Sequence, residues 1–270
     1  KNNKTMLLFL FLNLFLFPIC TNALSCNPNV ESGPSSTGPV HAKPILPGSC
    51  VKAIMSVGDG AGKKANGDPY RLTGLVDGLG VLPHPTDASK FYVFSNHEMF
   101  ANQGATRDHG SNGAYVSHMT VDKKTLTVTN LTDLVPSAAY MHSVRDGWSF
   151  LPKSFARLCS ANIPSITAIY NSKTGLGSRA RLYMAGEEEN DGRAMAFIVS
   201  GPNFGHVYTL PHLGRGRWEN IVLNPYEQDL TIAVMSDDRH PAGILGFYIG
   251  TKQNLGNDAQ KAGLNKGRFY

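Results

Sequence analysis

Cys159 is a candidate metal ligand. It stands in Arg157-Leu158-Cys159-Ser160. A thiolate is a soft ligand for iron or zinc, while a lone Cys also serves as a small buried apolar residue. Three further clusters supply oxygen and nitrogen donors. Ser95-Asn96-His97-Glu98 follows the apolar run 91–94. A His and a carboxylate leaving a strand can hold a metal from a rigid sheet, and they equally fit a solvated turn. Gly186-Glu187-Glu188-Glu189-Asn190-Asp191-Gly192 places four carboxylates in five positions. Such groups repel one another unless a cation or bases neutralise them. Hard oxygens on a Gly-flanked loop suit Ca²⁺ or Mg²⁺, and an exposed acidic hairpin is the competing reading. If a strand continues through this stretch, its period of two puts Glu187 and Glu189 on one face and Glu188 on the other.

The fourth cluster is split between two segments. Arg217-Trp218-Glu219-Asn220 precedes one strand, and Ser236-Asp237-Asp238-Arg239 follows the next. An antiparallel hairpin turning at 225–229 brings Glu219 to the same sheet end as Asp237 and Asp238. Arg215, Arg217 and Arg239 lie beside these carboxylates. Metals that polarise phosphoryl oxygens and Arg that grips them in pairs are the needs of phosphate chemistry. The sequence contains no Gly-x-Ser-x-Gly elbow, Walker-type loop, His-Glu-x-x-His or Cys-x-x-Cys, so the commoner signatures of other enzyme classes are missing.

Positioning these groups falls to short β-strands. From about residue 75 onward, β-branched and aromatic runs alternate with Gly, Pro, Asn and Asp turns. Runs at 80–82, 91–94, 114–121, 126–128, 181–184, 196–199, 206–210, 220–223, 231–235 and 244–249 predict an all-β domain. Helical periodicity is scarce, with at most one turn in 160–172, where Pro164 opposes a long helix. The β texture runs on for some 200 residues, longer than a sandwich. It fits four or five divergent four-stranded blades of a β-propeller. Gly267-Arg268-Phe269-Tyr270 reads as a new strand beginning, so the expected propeller is incomplete, with C-terminal blades missing.

The chain has 270 residues, 28 of them Gly and 16 Pro, with 25 Lys+Arg against 20 Asp+Glu. With 41% hydrophobic and 17% charged residues it is not a disordered composition. Basic runs stop at the pairs Lys63-Lys64 and Lys123-Lys124, which excludes a nucleic-acid partner signature. Lys1 and Lys4 precede an apolar stretch over 6–19 and the small-residue site Thr21-Asn22-Ala23. That stretch is too short to span a membrane, which takes about 18 to 20 residues. It predicts a signal peptide over 1–23 and a secreted, periplasmic or extracellular protein. A lipoprotein-type cut at Cys26 is a weaker fit. Signal removal lowers the formal charge from +5 to +3 and leaves no integral membrane span. An extended Pro/Gly-rich arm follows over 24–50, and the propeller domain over 51–270. The three remaining cysteines predict a Cys26–Cys50 disulfide with Cys159 left over. Asn130-Leu131-Thr132 is a glycosylation sequon. The expected state is a monomer.

Taken in order, Asp77-Gly78-Leu79-Gly80, Asn96-His97-Glu98, Arg157-Leu158-Cys159-Ser160, Gly186-Glu187-Glu188, Arg217-Trp218-Glu219-Asn220 and Asp237-Asp238 resemble the PhoX-type alkaline phosphatase family over roughly 50–270. The resemblance implies a β-propeller with iron and calcium in its channel, hydrolysing a small phosphorylated substrate. It implies Cys159 as an iron ligand, one of Glu187 or Glu188 and also Glu219 as metal-binding glutamates, and Glu98 as a further ligand. Asp237 or Asp238 would ligate calcium or support its ligands, and Arg217 and Arg239 would act in catalysis. The family's usual Cys-Glu-Glu here reads Gly186-Glu187-Glu188, and its Trp-Gly-rich stretch before that pair is absent. Two other expectations stand beside it. One is a non-catalytic secreted propeller with structural calcium, and the other is a phytase-like or ester-cleaving hydrolase on the same scaffold.

Overall fold

The computed structural model describes residues 31–38, 40–64, 66–136, 139–143, 147–150 and 154–270. The expected signal peptide over 1–23 and Cys26 lie outside the described residues. Of the Pro/Gly-rich arm, β1 (Glu31–Ser32) pairs in parallel with β2 (Lys52–Ala53). Cys50 is disulfide-bonded. A small hairpin follows, β3 (Gly60–Lys63) with β4 (Pro69–Arg71).

The chain is all-β and propeller-like. The first large sheet is an antiparallel meander of β5 (Val76–Pro83), β6 (Lys90–His97), β7 (Tyr115–Asp122) and β8 (Val128–Asp133). The second holds nine strands. They are β9 (Ala139–Ser143), β10 (Gly147–Phe150), β11 (Leu158–Asn162), β12 (Leu182–Ile198), β13 (Val207–Thr209), β14 (Arg215–Leu223), β15 (Leu230–Asp237), β16 (Leu245–Thr251) and β17 (Arg268–Phe269). Their order is β10-β9-β13-β12-β14-β15-β16-β17, with β11 also on β12. The only α-helices among the described residues are single turns, α1 (Ile166–Ile169) and α2 (Asp258–Lys261). No helix among them is long and apolar enough to cross a membrane.

Burial follows from the alternation of the strands. In β16, Gly246, Tyr248 and Gly250 face inward while Leu245, Phe247 and Ile249 face out. Leu182, Met184, Ala196, Ile198, Trp218, Ile221 and Met235 pack between the strands of the second sheet. Phe94, Val116, Tyr183 and Phe197 join the first sheet to it.

Glycine sets the distance between β5 and its neighbours. A Cβ on Gly78 would stand 2.3 Å from the Ala161 backbone nitrogen, and one on Gly80 would stand 2.7 Å from Ile163. The Asp77-Gly78-Leu79-Gly80 sequence therefore lets β5 lie directly against β11.

The acidic stretch differs most from its sequence reading. The runs 181–184 and 196–199 are the two ends of one 17-residue strand, β12, and Gly186 to Gly192 lies within it, where 188–193 opposes only 215–217 of β14 and the chain forms a wide bulge. Gly186 permits the close approach of Trp218, whose Cβ would lie 2.4 Å from an added Cβ, and a Cβ on Gly192 would strike the Glu187 carbonyl. Acidic clusters favour turns when they are left to water. Here Arg157, Arg193 and Arg217 neutralise Glu187 and Glu188, so both side chains are buried, while the chain bulges at 189–192 and exposes Asn190 and Asp191.

Candidate metal centre

Five elements converge on the thiol of Cys159. Asp77 comes from β5, Glu98 from the residue after β6, Cys159 from β11, Glu188 from β12 and Glu219 from β14. The ligand atoms of Asp77, Glu98 and Cys159 lie within 4.8 Å of one another, and so do those of Cys159, Glu188 and Glu219. Cys159 is thus common to two groups of three.

Support comes from the strands behind. The Asn96 side-chain amide donates to the Cys159 carbonyl at 2.5 Å. The Tyr183 hydroxyl lies 2.9 Å from both the Asn96 side-chain oxygen and the Gly78 carbonyl. Asn162 reaches across to the Ile221 carbonyl at 2.6 Å, tying β11 to β14. Ser160 donates to the second oxygen of Glu219 at 3.2 Å.

The electrostatics call for a cation. The Cys159 sulfur lies 3.1 Å from a Glu219 oxygen and 3.5 Å from an Asp77 oxygen. A thiol has one proton to donate, so only one of these contacts can be a hydrogen bond. The other sets sulfur lone pairs against a carboxylate. Burial, then the hydrogen bond to Glu219 and the charges of Asp77 and Glu219, push the thiol far above its ordinary range. Burial also raises Glu188, with Glu98 and Asp238 adding to it and Arg157 and Arg217 working against it. Four carboxylates face two guanidinium groups here, leaving an excess of two negative charges. One thiol among several carboxylates is a donor set that fits a divalent transition metal on the sulfur and a hard cation on the oxygens. A cation would relieve the sulfur–carboxylate contact and allow the thiolate to form.

Arg157 organises the rim. Its guanidinium pairs with Glu98 at 2.8 Å and bridges to a Glu188 carboxylate oxygen. Its backbone sits at a φ of +43°, the left-handed region that disfavours a side chain. Arg217 reaches the other Glu188 oxygen at 3.3 Å.

The remaining residues singled out in the sequence are placed elsewhere. Glu187 is held by Arg193, whose Nε donates at 2.6 Å, and by the Ala156 N–H at 3.0 Å. It belongs to neither group. Asp237 does share the Glu219 end of its sheet, opposite Trp218. It accepts from the Arg217 N–H at 3.0 Å and lies 3.6 Å from Arg239, outside both groups. Asp238 is exposed, and Arg239 donates outward to the Asn190 carbonyl at 3.1 Å. His97 is fully buried and stacked on Tyr115. One ring nitrogen meets the Thr73 carbonyl and the other lies 3.0 Å from the Ser117 hydroxyl. Burial first, opposed by the Thr73 contact, drives its pKa down to about 3. Both ring nitrogens have protein partners, so His97 joins neither donor group beside Glu98. Asn130 is exposed on β8.

Glu187 and Glu188 therefore call for opposite outcomes. Glu187→Gln is expected to leave metal content unchanged while lowering stability by about 3 kcal/mol, because it breaks a buried ion pair. Elemental analysis and denaturant unfolding of one preparation check both halves. Loss of metal at unchanged stability would reverse the assignment.

Among known proteins, no family profile and no curated protein matches the sequence. Among solved structures, PhoX of Pseudomonas fluorescens in complex with vanadate, a transition state analogue, is similar to this chain. The TM-score is 0.50 and the sequence identity 11%, over 80% of this chain and 50% of that one. The likeness is one of fold, and this chain spans about half the length of that structure.

Proposed function

We propose that this chain carries a metal centre of a secreted hydrolase of phosphomonoesters. The observation that supports it is the buried thiol of Cys159 among four carboxylates, on an all-β scaffold similar to PhoX. Cys159, Glu188 and Glu219 would hold iron, and Asp77 and Glu98 would supply hard oxygens for calcium or complete the iron site. Bound there, the metals would supply the positive charge that draws phosphoryl oxygens in and stabilises them during transfer.

The protein's own residues define the rest. An excess of negative charge repels a phosphate dianion, so substrate binding waits on cation binding. Arg157 and Arg217 are partly exposed at the rim and work against the upward shift that burial imposes on Glu188. Each guanidinium has five donors, and those not spent on Glu98 and Glu188 are available to a phosphoryl group entering above them. Arg239, more exposed and bound to Asn190, lies further out, where it would meet the leaving group's side of a substrate. Asn96, Ser160 and Tyr183 hold the donors still.

The test is elemental analysis of protein purified without added metal, followed by an aryl phosphate assay before and after chelation. Iron with calcium, and turnover lost on chelation, supports the proposal. Calcium alone without turnover favours a binding propeller with structural calcium, and metal-free protein contradicts the centre itself.

A further inference from the structure

A second cavity, about 240 Å³ in volume, opens beside the Glu98 turn. Lys64, Arg71, Thr73, Met99 and Arg107 bound it, and no carboxylate lines it. Lys64, Arg71 and Arg107 bring three cations to it, against the two nearby carboxylates of Asp133 and Asp108 that do not line it.

Arg107 makes this a built site. Its residue is only 8% exposed. Its guanidinium carbon stacks 3.3 Å from the Tyr115 ring centroid, and one terminal nitrogen donates to the Thr73 hydroxyl at 3.3 Å. Asp133 forms a buried ion pair with it at 3.8 Å, too long for a hydrogen bond, and accepts from the Tyr70 hydroxyl and the Asp108 N–H. The planar fork is thus fixed in orientation with donors to spare. Arg71 approaches from β4, anchored by the Gly58 carbonyl at 2.8 Å. Lys64 stands at the mouth, with Asp108 close enough to feel its charge. Two planar forks and one point charge are the donor set for a compact oxyanion.

We infer that this cavity binds a tetrahedral oxyanion of the phosphate class. The site needs no metal, and it stands whether or not the proposed hydrolase activity does. Calorimetric titration of the whole chain with inorganic phosphate tests it in two variants. Cys159→Ser removes the thiol of the metal centre, and Lys64→Ala/Arg71→Ala removes two cations from exposed or half-buried positions, with circular dichroism confirming the fold. Phosphate binding is expected to survive in Cys159→Ser and to weaken at least about tenfold in the double variant, as loss of charge-assisted hydrogen bonds requires. Acetate is expected to bind at least about tenfold more weakly than phosphate, since it offers fewer oxygens and less charge. Glycerol phosphate separates a free anion from a phosphoryl group on a larger ligand, and equal affinity for the two assigns the site to the phosphoryl group. Phosphate binding lost in Cys159→Ser but unchanged in the double variant, or acetate binding as well as phosphate, overturns the inference. If metal content and turnover both fail while phosphate still depends on Lys64 and Arg71, the metal-centre reading falls alone.

Discussion

Cys159→Ser is expected to strip iron from the protein and to lower aryl phosphate turnover by more than about a hundredfold, beyond the cost of losing a supporting residue around a metal. The thiol sulfur is the one atom shared by both donor groups. A Ser hydroxyl can still donate to Glu219, so the fold survives, but it is a poor ligand beside a thiolate. Steady-state kinetics and elemental analysis on the same preparation read both effects. Glu219→Gln is expected to act in the same direction, because it removes an oxygen ligand and the charge facing Cys159. Full metal and full turnover in both variants would leave the thiol as buried filler.

Arg157→Gln has the largest expected effect on stability. The guanidinium neutralises Glu98 and Glu188 together, and both carboxylates are largely buried. Removing one partner of a buried pair costs about 3 kcal/mol or more, and here two pairs are broken at once. The left-handed backbone at residue 157 persists in Gln, so the loss reports charge rather than strain. Calcium should offset part of it, since a cation held by Glu98 and Asp77 takes over part of the neutralising role and stabilises by mass action. Denaturant unfolding with and without millimolar calcium measures this. The expected loss is smaller with the cation present. An equal loss under both conditions would mean that Glu98 does not hold calcium.

Much of this arrangement is legible from local pattern. Runs of β-branched and aromatic residues place β6, β7, β14, β15 and β16, and the hairpin of β14 and β15 brings Glu219 to the same sheet end as Asp237. Cys159 stands out because it is the cysteine left without a partner, and it is free and buried in the structure. What local pattern lacks is the partner across the fold. Asp77 is 82 residues from Cys159, and only the close approach allowed by Gly78 makes it a candidate donor. Arg157 looks like any basic residue before a strand until two carboxylates from other strands close on it. Glu187 and Glu188 do alternate as a strand requires, but nothing local says which face meets Arg193 and which meets Cys159. The run from Gly186 to Gly192 reads as a turn and does bulge from β12, but its sequence does not show that Arg157 and Arg217 from other segments bury Glu188. The cations of the second cavity are scattered over Lys64, Arg71 and Arg107, and no run of basic residues announces them.

The central claim is that Cys159 binds a metal among these carboxylates, and X-ray absorption at the iron edge tests it most directly. One sulfur scatterer among oxygen ligands is expected in the wild-type protein, and its disappearance in Cys159→Ser. A coordination shell of oxygen and nitrogen alone in the wild-type protein, or a sulfur signal that survives in Cys159→Ser, would contradict it.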